Sequence, residues 1–178
     1  MEYEDYRSGS SMLTFLLGPA TVALAVPLYQ NVRRVRAVLV PVLVTLLVGG
    51  TLATVLGVAL AWLLGAEHMI MMALAPKSVT SPIAMLVAEE IGGSASLAAV
   101  FVMITGILGA MFGVELMRLF RIEHPAAKGL ALGMVAHAIG TARALQDSEE
   151  TGAFSALGMS LMGVITAVAL PLVVALVS

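Results

Sequence analysis

Four stretches of the chain, residues 12–30, 37–66, 91–114 and 151–178, contain no Asp, Glu, Lys or Arg. Each is close to or beyond the roughly 20 residues that a helix needs to cross the hydrocarbon core of a bilayer. A water-soluble protein can bury one such run, but it has no place for four. The runs are continuous rather than alternating and rich in Ala, Leu and Met, which argues against membrane strands. Charge is correspondingly scarce: 11% of the 178 residues are Asp, Glu, Lys or Arg, where soluble domains carry about a quarter. The sequence therefore predicts an all-α integral membrane protein, a polytopic helical bundle. A polar tail, residues 1–11, precedes a single transmembrane domain, residues 12–178. The tail, MEYEDYRSGSS, is acidic and lacks the basic start and cleavage site of a signal peptide.

Several function classes drop out. A net charge of −2 gives no basis for binding nucleic acid, and the absence of Cys removes disulfide, thiolate and Cys–metal chemistry. The 12 Met residues are scattered through apolar runs, where adaptable packing explains them better than metal or haem ligation. No nucleophile–base arrangement, phosphate loop or metal-ligand spacing is present, so neither enzymatic activity nor a cofactor is expected.

The cations set an orientation. Arg33, Arg34 and Arg36 occupy one connection and Arg118, Arg121 and Lys128 another, and the positive-inside rule puts both in the cytoplasm. Segment 12–30 then runs inward and 37–66 outward, to Glu67 and His68. Segment 94–117 must start outside, so residues 69–92 enter from outside and return without crossing. If 129–147 likewise enters from inside and returns, 152–177 runs outward. Each unit, about 69–120 and 129–178, is then one broken or re-entrant helix plus one transmembrane helix, the second inverted relative to the first. At an offset of 60, Lys77 falls on His137, Ser81 on Thr141, Ala84 on Ala144, Glu89 and Glu90 on Glu149 and Glu150, Gly92 on Gly152, and Leu97 on Leu157. Together with the charge-derived topology, this pattern predicts inverted repeats. The alternative is a pair of broken helices that do span. Pro19 and Pro27 mark a third interrupted element at 16–30.

Lys77 and Arg143 are the basic residues set inside apolar blocks rather than in a connection or tail. A cation at the bilayer centre costs about 2.5–3.5 kcal/mol on insertion scales, so each calls for a partner. In Pro76-Lys77-Ser78-Val79-Thr80-Ser81-Pro82, two prolines break the helix and Ser78, Thr80 and Ser81 supply hydroxyls. Ser81 before Pro82 reads as an N-cap, from which a half-helix runs outward to Glu89. In His137-Ala138-Ile139-Gly140-Thr141-Ala142-Arg143, Gly140 is expected to end one half-helix, Thr141 to cap the next, and Arg143 to lie in its first turn. A cation there is unfavourable for the helix alone. An anion between the two N-termini would correct that, meeting free backbone N–H groups, a guanidinium and an ammonium. Two other readings stand: both cations snorkel to the headgroups, or they pair with Glu89, Glu90 or Asp147 to hold the hairpins. His137 is read equally as a buried structural imidazole or a proton carrier. Glu89, Glu90, Glu149 and Glu150 are placed at the exits. Gly106, Gly109 and Gly113, with Gly158 and Gly163, permit close helix approach, within one protomer or between two.

The segments LLGPATVALAVPLY, LAPKSVTSPIAM, TGILGA, GLALGMVAHAIGTARAL and GAFSALGMSLMG together resemble the LrgB/CidB family of antiholin-like proteins, also described as murein hydrolase export regulators. The resemblance runs from about residue 10 to the end, and PKSVT-x-PIA followed by HAIGTARA is its specific part. It implies a bacterial inner-membrane location and two functional descriptions. One is control of autolysis as partner of a small holin-like LrgA/CidA protein. The other is transport of small monocarboxylates: pyruvate in bacteria, glycolate and glycerate by the similar plastid-envelope protein of plants. The second matches the site read from the residues, with Lys77 and Arg143 binding the carboxylate and Ser78, Thr80, Ser81, His137, Gly140 and Thr141 around it. Coupling to H+ or Na+ and a homodimer are the corresponding expectations. Family members usually carry about two further apolar helices ahead of the position of Met1.

Overall fold

The computed structural model describes residues 29–177 together with Met12. The polar tail and nearly all of the first apolar run, with the interrupted element expected at 16–30, lie outside the described residues. Seven helices run from Val32 onward: α1 (Val32–Ala37), α2 (Leu39–Leu63), α3 (His68–Leu74), α4 (Ser81–Glu90), α5 (Ala95–Leu119), α6 (Pro125–Leu145) and α7 (Glu149–Val177).

Helices α2, α5 and α7 have 25, 25 and 29 residues, or about 37–44 Å at 1.5 Å per residue. They are long and apolar enough to cross a membrane. Their surfaces name the solvent. Leu43, Val44, Leu47, Val48, Leu52, Val55 and Leu56 of α2 are all exposed, an apolar area that would aggregate in water but is ordinary lipid contact. The molecule is a helical membrane protein.

Local chemistry fixes the helix ends. Ser94 caps α5 by accepting from the Leu97 amide, and His124 Nδ1 accepts from Ala126 ahead of α6. Ser148 Oγ accepts from the Thr151 amide at 3.1 Å, and Glu149 and Glu150 fall in the first turn of α7, where negative charge is favourable. Gly65 and Gly92 take positive φ just past α2 and α4, reversing the chain at no steric cost.

The path between the long helices is set by two reversals. In α6, His137 leaves helical geometry at φ 42°, ψ −127°. An unbroken helix would hold residues 132 and 140 about 12 Å apart, yet Gly140 abuts the Leu132 carbonyl and the Ala136 side chain. Lys128 Nζ lies 3.6 Å from Asp147 Oδ2, across 19 residues that would span about 28 Å if straight. The chain therefore folds back at His137, as two limbs of a hairpin. Between α3 and α4 the chain also returns: Gly93 packs against the backbone of Met72 and Ala73.

Contacts between elements fix their directions. Gly129 abuts the Thr151 carbonyl and Gly133 the Ser155 carbonyl, so the first limb of α6 runs parallel to the start of α7. Gly106, Gly109 and Gly113 of α5 meet His137, Ala136 and Leu132 in turn, so α5 runs the opposite way. Gly50 meets Met162, while Val58, further along α2, clusters with Leu170 and Val174, so α2 and α7 are parallel. Arg33, Arg36, Arg118, Arg121 and Lys128 thus gather at one end of the bundle, and Glu67, His68, Glu89 and Glu90 at the other. Without a hydrophobic drive between helices in lipid, such close backbone approach at glycine adds van der Waals packing to the interhelical hydrogen bonds. Met134 and Met162 fill the space over Gly49 and Gly50, the packing role expected of methionine. At the centre lies α7, where every residue from Thr151 to Gly158 is buried.

Candidate functional site

The two reversals converge on one depth. The first carries Pro76, Lys77, Ser78 and Val79 in a turn between α3 and α4, and Pro76, Ser78 and Val79 are buried. Lys77 Nζ donates to the Ala53 carbonyl at 2.9 Å, two residues past the midpoint of α2. The second reversal places the His137 ring against Gly106, near the midpoint of α5, and His137 Nε2 is 3.0 Å from the Val102 carbonyl. Both press on the same part of α7, between Ser155 and Gly163. Thr141 Oγ1 is 2.9 Å from Ser155 Oγ and 3.9 Å from Met159 Sδ, and Ile83 of α4 packs on Gly163. Val79, Val102, Leu157 and Met162 share one buried cluster.

Each candidate residue now has a place. The cap of α4 is Thr80, in extended geometry, rather than Ser81. Pro82 fixes only that the first turn is near, because any first-turn position lacks an intrahelical N–H partner. Thr80 and Ser81 are half-buried. The second break falls at His137, ahead of the expected Gly140–Thr141 junction. Thr141 is therefore no cap; it lies within the returning limb, its hydroxyl donating to the His137 carbonyl at 2.8 Å. Gly140 does not end a half-helix either, but lets the two limbs touch. Arg143 lies in the last turn of α6 instead of the first turn after the break. There the helix terminus favours a cation, which removes the argument that Arg143 is badly placed for its own helix. It stands six residues beyond His137, about 9 Å along the axis, and is half-buried.

The pairings differ from those considered for the sequence. Asp147 faces Lys128, while Lys77 bonds a backbone carbonyl, and Glu89 and Glu90 are exposed at the end of α4. Ser78 Oγ is enclosed, with its residue at 4% exposure, and has no hydrogen-bond partner among the described residues. Two apolar grooves lie elsewhere. One, of about 130 Å³, runs between α2 and α7 past Thr51, Thr54 and Thr166. The other, of about 270 Å³, runs between α5 and α6 along Gly109 and Gly113. Neither is lined by Lys77, Ser78 or Arg143.

Sequence reading missed Ala53, Gly57, Val102 and Ser155 as neighbours of the breaks. Ala53 and Val102 act through backbone carbonyls, which leave no side-chain signature. Ser155 could have been found as the polar residue of GAFSALG one turn before Met159.

Comparison with known proteins gives the chain a family. The model of the LrgB-like family matches residues 1–176. Protein YwbG of Bacillus subtilis is 38% identical over 169 residues, covering 95% of this chain and 75% of its own length. A Haemophilus influenzae protein is 35% identical over 175 residues, 98% of this chain and 76% of its own. The antiholin-like protein LrgB of Bacillus mycoides is 32% identical over 170 residues, 96% and 74% respectively. The chain thus spans about three quarters of the length of these relatives. No solved structure matches. The chain belongs to the LrgB-like family.

Proposed function

We propose that this chain forms the translocating core of a carrier for small monocarboxylates of the pyruvate, lactate and glycolate class, in the inner membrane of a bacterium. The observation that carries the reading is the Ser78 hydroxyl, buried without a hydrogen-bond partner among the described residues, next in the chain to Lys77, whose ammonium is held at mid-height of α2. An unpaired buried hydroxyl costs about 1–3 kcal/mol. A carboxylate oxygen accepting from Ser78 would remove that cost, and Lys77 on the same turn supplies the opposite charge. Half-helices starting at Ser81 and just after His137 offer free N–H groups at nearly the same depth. Lys77, Ser78, Thr80 and Ser81 are assigned to one side of the substrate, and Gly140 and Thr141 to the other. Arg143, whose Cα–Cβ bond tilts back toward the break, attracts the anion from the basic end. His137 holds the hairpin tip through Val102 and is the candidate for coupling to H+; Na+ is the other possible coupling ion.

The relation between units is read as an inverted repeat. Its support is that the α3–α4 return opens at the acidic end, the α6 hairpin at the basic end, and α5 and α7 leave them in opposite directions. Movement of one unit against the other, in a homodimer, would expose the site alternately. The test is uptake of labelled pyruvate, lactate or glycolate into proteoliposomes by wild type, Lys77→Ala, Arg143→Ala and the loop control Arg34→Ala. Saturable uptake lost in Lys77→Ala and kept in Arg34→Ala is expected. Its absence for every acid in the wild type would end the reading.

The second reading is a non-transporting partner of a holin-like LrgA/CidA-type pore that regulates murein hydrolase activity. It is favoured by the name antiholin-like protein carried by the Bacillus mycoides relative. It requires that loss of the Arg143 charge matter only when folding or assembly fails.

A further inference from the structure

We infer that α2 forms a third wall of the site and that Gly57 positions the Lys77 ammonium on a resting partner, the Ala53 carbonyl, with which the substrate competes. This rests on the carboxylate reading above. Within a regular helix the Ala53 carbonyl already accepts from the amide one turn on, that of Gly57. A carbonyl oxygen has a second lone pair, and Lys77 Nζ takes it at 2.9 Å. The ammonium reaches it only because residue 57 has no side chain: a Cβ there would stand 2.7 Å from Nζ and 3.2 Å from Cε. The slot lies near mid-height of α2, where a lysine would otherwise be costly to hold.

The chemistry gives the slot a purpose. An ammonium committed wholly to a carboxylate at this depth would hold it and empty slowly. An ammonium with a second place to go surrenders the anion more readily, because releasing substrate restores the Ala53 bond. The same bond must be given up on loading, so it lowers affinity as it speeds release. Gly57 is thus a positioning residue that acts through Lys77.

The sign of the effect is distinctive. Gly57→Ala pushes only the flexible end of Lys77, and alanine favours the helix, so folding is retained. With the resting bond weakened, KM for pyruvate uptake should fall about tenfold and kcat should fall with it. Lys77→Met should instead raise KM, and Leu56→Ala, facing lipid, should leave both unchanged. A KM for Gly57→Ala that is unchanged or raised overturns the inference. A second measurement needs no transport. Gly57→Asp, measured by unfolding in mixed micelles, should be tolerated much better with Lys77 present than in a Lys77→Met background. Absence of that coupling, with uptake intact, overturns the placement of Lys77 and leaves the carrier reading standing. Coupling present with no saturable uptake by the wild type overturns the carrier reading and the competitive role together.

Discussion

The hairpin in α6 depends on backbone contact with α7, and Gly133→Ala is the perturbation that probes it. A Cβ at residue 133 would lie 2.8 Å from the Ser155 carbonyl carbon and 2.9 Å from its Cα, and closer still to its oxygen. Main-chain atoms cannot rotate aside, so the limb must shift by at least about 0.5 Å, an overpacking strain worth about 1–3 kcal/mol. The shift also stretches the 2.9 Å contact between Thr141 and Ser155, worth a further 0.5–1.5 kcal/mol or so. The expected loss is roughly 2–4 kcal/mol. The matched control is Gly113→Ala, whose Cβ would meet only the Leu132 Cδ2 methyl at 3.2 Å. A methyl at the end of a leucine can give way, so that variant should stay within about 0.5 kcal/mol of wild type. Equilibrium unfolding in micelles of rising dodecyl sulfate fraction, followed by circular dichroism, measures both. If the two variants prove equally stable, the first limb does not lie on α7 and the reversal at His137 is refuted.

Two further outcomes follow from the same geometry. His137 holds a backbone conformation that costs an L-residue about 1–3 kcal/mol, so His137→Gly, which relieves the strain, should unfold later than His137→Ala, though both lose the Val102 bond; the reverse order would show that the backbone there is relaxed. The chain has no cysteine, so single-cysteine variants report sidedness cleanly: Glu67→Cys and Glu89→Cys should react with an impermeant maleimide from one side, and Arg121→Cys and Gln146→Cys from the other, whereas labelling of Glu67→Cys and Glu89→Cys from opposite sides would mean that the first break spans.

The coarse design was legible because charge and proline are expensive in lipid and so are placed with purpose. The basic clusters at Arg33 and Arg118 oriented the long helices, and Pro76, Pro82 and the lone cations marked the interruptions to within a few residues. What escaped was set by contact rather than composition. Reversal of α6 at His137 needs a ring that fits Gly106 and a carbonyl on α5, and neither is visible from the local HAIGTAR string. Gly140 and Thr141 looked like helix punctuation because glycine and threonine are common at ends; here one serves limb-to-limb contact and the other a back-bond to His137. Arg143 was misjudged by the same shift, since moving the break earlier moves it from the first turn to the last. Lys77 was identified as needing a partner, but the candidates considered were an anion, the headgroups and acidic side chains, and the Ala53 carbonyl that it meets leaves no trace in composition.

The buried run Thr151–Gly158 has a consequence for how this family can vary. A helix with one interior face tolerates change every third or fourth position, but eight successive enclosed residues leave no permissive side. Saturation mutagenesis should therefore find a solid, aperiodic block across this octapeptide, restricted to side chains near the native size, flanked on α2 and the far half of α7 by ordinary helical rhythm. Variation within the family must then be accommodated in the loops and limbs packed around this shaft, because the shaft itself has no room to change.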